Sequence, residues 1–161
     1  MSTFNLKTYI ANLAENVLQN IPGYDFQLTE VSGVNGLEGI INGQTAYDNF
    51  IATDSTGDGY LVQNANGGYF INRVCTVFIV RKYQYMNMAD MLDKMEVCRQ
   101  YFKTILRNMV KDQEQLKLNL IYLNTERVAF REFEPEISAH FTGLFFQIGY
   151  EQPYNLLSDA D

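Results

Sequence analysis

The sequence predicts one α+β domain: an antiparallel or mixed sheet with a long helix packed across it, an N-terminal helix, and a loop-rich β-hairpin insert. Three observations lead there. Apolar residues switch between the period of about 3.6 that marks a helix face and the period of two that marks a strand. Strand-like segments follow one another in blocks with helices between the blocks, an order that suits helices covering one face of a sheet. A chain of 161 residues, 47% apolar, is long enough for one packed core and short for two.

Taken in order, Phe4, Leu6, Ile10, Leu13, Val17 and Ile21 recur at near-helical steps, with Thr3 placed to cap the start and Pro22-Gly23 to stop the helix. Tyr24, Phe26 and Leu28 alternate with polar residues and read as a strand with one buried face. From Ser32 to Gly68 the chain is rich in glycine and in Asn, Asp, Ser and Thr, interrupted by short apolar pieces. This stretch reads as one or two short strands on long loops, a hairpin arm that orders against a partner. Tyr69 to Tyr83 is dense in β-branched and aromatic residues and predicts a central strand.

Asn87 is placed to cap the long helix, with Asp90 in its first turn. Its stripe is Met88, Met91, Leu92, Met95, Cys98, Phe102, Ile105, Leu106 and Met109. Strand-like runs then start at Leu116, Glu126 and Ile137, the last reaching Tyr150. The chain is expected to form a single domain over 1–161, with 32–68 as an arm within it.

Charge and composition exclude several functions. A formal net charge of -7 opposes attraction to phosphates, so sequence-specific nucleic-acid binding is not expected. No leader pattern and no apolar stretch of about 20 residues is present, which predicts a soluble protein that does not enter a membrane. Cys75 and Cys98 fall on a strand and on a helix stripe, where thiols behave as small hydrophobes.

Three patterns invite chemistry, and each has a plainer reading. Asp54, Thr56, Asp58 and Gly59 have the opening spacing of a calcium loop, yet the twelfth position is Ala65 rather than a bidentate Glu, so a surface turn fits better. Gly33, Gly36 and Gly39 match neither dinucleotide nor phosphate-loop spacing and read as turn glycines. The sole histidine, His140, shares strand parity with Glu132, Glu134 and Glu136, but Pro135 breaks that ladder. No catalytic, cofactor-binding or metal residue is therefore assigned, and an enzyme is not expected. Interface anchors are expected at Tyr47, Phe50, Tyr60 and Tyr69 in and beside the arm, because aromatic side chains bury much area at little entropy cost.

The element order, with the closing run FTGLFFQIGYEQPYN and its aromatic, Pro-containing end Gly149 to Asn155, resembles the tail terminator and head-tail connector (neck ring) proteins of tailed bacteriophages. That resemblance covers nearly the whole chain, and the insert from Ser32 to Gly68 departs from it. It implies a structural virion protein: a homo-oligomeric ring of about six or twelve copies, in contact with neighbouring tail or neck proteins, that joins the tail to the head-side connector and lets DNA pass. The alternative is a small monomeric or dimeric ligand- or protein-binding α+β module, with its site in the groove beside the long helix.

Overall fold

A computed structural model describes residues 3–33, 47–54, 56–133 and 140–156. Helix α1 spans Leu6–Asn16 and a 3-10 turn follows at Leu18–Asn20. Strands β1 (Gln27–Val31), β2 (Asn49–Asp54), β3 (Gly59–Gln63) and β4 (Tyr69–Lys82) lead to helix α2 (Met88–Lys117) and then to β5 (Tyr122–Glu132) and β6 (Phe141–Tyr154). The sheet order is β1-β2-β4-β6-β5, with β3 beside the first half of β4. Among the described strands only β1 and β2 run parallel, so the sheet is mixed and the fold is α+β.

β4 is the organising strand. All fourteen of its residues pair with β6, while β2 pairs with its second half and β3 with its first. Alternation then sorts side chains by face. Cys75, Val77 and Ile79 meet Leu144, Phe146, Ile148 and the helices in the main core; Phe78 and Val80 meet Val31, Phe50, Ala52 and Phe133 in a smaller core on the reverse face. Gly143 lies where β6 crosses β4, with φ of +149°, and a Cβ there would collide with the Ile79 carbonyl oxygen.

The cap of α1 is Asn5 rather than Thr3: its side chain accepts from the Thr8 amide at 3.1 Å. The helix breaks at Val17 before the 3-10 turn, so it is shorter than the apolar run. Phe4 is pinned to the sheet by its amide, which donates to Gln152 Oε1 at 2.6 Å. Tyr9 Oη donates to Asp112 at 2.7 Å and ties α1 to α2.

α2 is capped by Asn87, whose side chain accepts from the Asp90 amide at 3.0 Å. It buries Met91, Met95, Cys98, Tyr101, Ile105 and Met109, while Phe102 packs on Phe130 and Phe146. Met88 and Leu92 are exposed and leave the expected stripe, and Tyr101 joins it. The strand expected from Leu116 is corrected: α2 continues through Lys117, a turn with Leu120 at φ +60° reverses the chain, and one bulged strand β5 replaces two separate strands. The alternation of Leu116, Leu118, Leu120 and Tyr122 imitates a strand, but the helix-forming run KDQEQLK extends the helix into it.

Strand β1 begins later than expected, at Gln27. Tyr24, Phe26 and Leu28 share the helix face as expected, but only Phe26 is buried: Leu28, on the edge strand beside Ile51, is exposed at the sheet's rim. Phe26 stacks near Tyr101 and lies under the Arg81 guanidinium, 5.3 Å from its ring centre. Arg81 is held there by Asp25 at 2.7 Å.

The segment from Ser32 to Gly68 is not one arm. Residues 34–46 lie outside those described. Asn49–Asp54 form an internal strand between β1 and β4, and among the described residues of the segment it is the β3–β4 hairpin that stands out from the domain.

Candidate interaction surface

The sheet outgrows its helices. All five residues of β3 are exposed, and the neighbouring start of β4 is only half buried. Tyr60 and Val62 point to the reverse face, opposite Asn72 and Phe70, whereas Leu61 points to the helix face opposite Ile71. Tyr60 is 62% exposed, Leu61 45% and Val62 43%, so this end is covered on neither face. A strand apolar on both faces normally lies inside a sheet sandwich; here it is open.

On the reverse face the apolar surface continues through Val74 and Tyr122, both exposed, with Phe70 and Tyr122 rings 6.4 Å apart. A shallow groove of about 620 Å³ opens beside them, lined by Asp58, Val74, Thr76 and Gln147 among others. Asp58 and Glu151 add carboxylates here, and from Thr76 outward no position of this face on β3, β4 or β6 holds a cation. The outer edge of β3 pairs with no described strand, and unpaired edges invite another chain.

The outward side of α2 has a different character. Lys103, Arg107 and Lys111 recur every four residues, are exposed, and take no part in the ion pairs among the described residues. At 1.5 Å rise per residue the row is about 12 Å long. Val110, also exposed, lies within it. The four-residue spacing is visible in the sequence, but its exposure depends on which stripe the helix buries.

Of the expected anchors, Tyr60 is the most exposed and Tyr47 is 40% exposed, while Tyr69 is half buried at the start of β4. Phe50 is corrected: it is fully buried in the reverse-face core, near Phe141. Its place on the internal strand β2 takes it off any surface. Sequence reasoning missed Leu61, Val62, Val74 and Tyr122, because apolar strand residues are ordinarily core.

The calcium-like pattern is a turn. Asp54 Oδ1 accepts from the Thr56 amide at 2.9 Å and hydroxyl at 2.6 Å, and Oδ2 from the Gly33 amide at 2.9 Å. Those oxygens hold backbone in place. Gly33 has φ of +66°, a conformation that glycine adopts without strain, and Gly36 and Gly39 lie outside the described residues.

Glu132 faces α2, where Arg99 Nε and Nη2 donate to its two carboxylate oxygens at 2.6 and 2.9 Å and hold its pKa below the usual range. His140 stacks on Tyr85 at 5.2 Å, and Glu134 and Glu136 lie outside the described residues. Among the described residues no three His, Cys, Asp or Glu gather as a metal site. Cys75 and Cys98 are free and buried, and burial pushes the Cys98 thiol up to about 12, far from a reactive thiolate.

Further concavities border the fold. One beside α2, about 550 Å³, is bordered by Met91, Met95 and Phe130 and by the Arg99–Glu132 pair. A larger one, about 930 Å³, lies beyond the start of α1, between Phe4, Lys7, Tyr69, Arg73 and Tyr154. No described helix is long and apolar enough to cross a membrane. No family model matches the chain, and comparison with curated proteins finds no match.

Proposed function

We propose that this protein is a structural subunit of a bacteriophage tail or neck, a tail terminator or head-tail connector that closes into a ring and lets DNA pass through its centre. The observation that carries the reading is the sheet end built by β3 and β4, apolar on both faces and covered on neither. Such a surface is costly to leave in water and marks a place where another chain sits. The net charge of -7 also suits a channel wall that does not retain DNA. Its site of action is the virion, assembled from copies of itself and neighbouring tail or neck proteins.

Light scattering on the purified protein, followed by electron microscopy, tests the reading. Closed particles near six or twelve times the 18.5 kDa subunit mass are expected. A monodisperse monomer at all protein concentrations would overturn it. The second reading, a small ligand- or protein-binding module, is favoured by the cleft of about 930 Å³ beyond α1. A monomer with saturable binding lost on Arg73→Ala would establish that reading instead.

A further inference from the structure

Resting on the ring reading, we infer that the contact between neighbouring copies is head-to-tail: the basic row of α2 on one copy seats on the reverse face of the β3–β4 end of the next. The two surfaces lie on opposite sides of the subunit. α2 packs on the helix face of the sheet and turns Lys103, Arg107, Val110 and Lys111 away from it, whereas Asp58, Tyr60, Val74 and Glu151 belong to the reverse face. Different patches on opposite sides generate a heterologous contact, the kind that propagates around a ring.

Shape and charge agree. Four strands, β3, β4, β6 and β5, at about 4.8 Å spacing present a strip about 14 Å wide, which admits one helix of roughly 10 Å diameter. Val110 meets an apolar strip of Tyr60, Val74 and Tyr122, and the three cations around it meet Asp58 and Glu151 on a face where, from Thr76 outward, β3, β4 and β6 hold no cation. Within the subunit Lys103, Arg107 and Lys111 have no ion-pair partner among the described residues, although acidic side chains outnumber basic ones nineteen to twelve. The contact supplies carboxylate partners from the neighbouring copy. It also takes positive charge off the free surface, which leaves the channel wall acidic.

Charge exchange between two variants tests this. Variant one carries Lys103→Glu, Arg107→Glu and Lys111→Glu; variant two carries Asp58→Lys and Glu151→Lys, with Asp58→Lys alone as its milder form. Circular dichroism and melting first establish that each is folded. Alone, each variant sets like charge against like and is expected to run as a single subunit. Mixed in equal amounts, the reversed helix of one fits the reversed face of the other, and the native helix of the second fits the native face of the first. Particles with alternating copies should therefore return, and added salt should weaken the native contact.

Assembly of either variant as readily as the native protein, or failure of the mixture to assemble, overturns the contact while the ring reading stands on the native particles. Open filaments from native protein that show the same exchange behaviour would support the contact and overturn the ring. A native protein that never leaves the monomer overturns both.

Discussion

Tyr101 shows how a residue can belong to the core without being ideal there. It is 2% exposed between Phe26, Tyr24 and the sheet, and its hydroxyl has no hydrogen-bond partner among the described residues. A buried unsatisfied hydroxyl costs about 1–3 kcal/mol, so Tyr101→Phe should leave stability unchanged or raise it by up to about 2 kcal/mol, read as a higher melting temperature. A loss above about 1 kcal/mol would mean that the hydroxyl does have a partner. Cys98 gives a pH signature at the same scale. Its folded pKa is raised by burial from 9.0 to about 12, so below pH 9 both states hold the proton and its contribution is complete. Between pH 9 and 12 the unfolded chain releases the proton and the folded one does not, and stability falls with rising pH, by roughly 4 kcal/mol at the upper end. Cys98→Ala is expected to be less stable at pH 7 but to lose less on going from pH 9 to 11, as urea denaturation at each pH measures.

At the scale of elements, the β4–β6 pairing carries the fold, and Gly143 is its tightest point. Any side chain there meets the Ile79 carbonyl oxygen and the Val80 Cα, backbone atoms that cannot swing aside. Gly143→Ala should cost about 3 kcal/mol or more, because the crossing strands must separate. Melting by circular dichroism measures it, and an unchanged transition would show that the strands can slide. The two central elements, β4 and α2, were legible in the sequence because each is long and strongly periodic, with buried residues at the positions that periodicity selects. Leu116 and Leu28 were misread for different reasons. At Leu116 two periods overlap and helix propensity wins; at Leu28 the parallel pairing of β1 with β2 places an edge residue near the sheet's rim, which alternation alone does not reveal. Phe50 was misplaced because the glycines around it suggested a loop, while its partner in the ladder, Val80, lies thirty residues further on. Long-range pairing of that kind leaves no local mark. The same limit hid the candidate surface: the spacing of Lys103, Arg107 and Lys111 is local, but nothing local says that a sheet end on the opposite side lacks cover.

For the whole molecule, the decisive distinction is between the part of the glycine-rich region that builds the domain and the part that extends from it. β2 contributes Phe50, Ile51 and Ala52, all fully buried, one to the main core and two to the reverse-face core. Removing Asn35 to Asn66 would take β2 with it and strip the cover from Phe78 and Val80, so that deletion should give an unfolded protein. Losing three buried side chains at about 1.5–3 kcal/mol for each large one approaches the 5–15 kcal/mol that holds a domain together. The hairpin residues obey a different balance. Tyr60 and Val62 are exposed and belong to neither core, so Tyr60→Asp with Val62→Lys removes little intramolecular packing, and surface changes usually shift stability by only about 0.5 kcal/mol each. If the open sheet end is where a neighbouring copy sits, the same pair puts charge into an apolar contact, and Val62→Lys sets a cation against the basic row of α2. The expected result is a protein that melts as the native one does and yet stays a monomer in light scattering. Full assembly by this double variant would locate the ring contact elsewhere, and a melting temperature lowered by many degrees would show that β3 serves the fold of its own subunit instead.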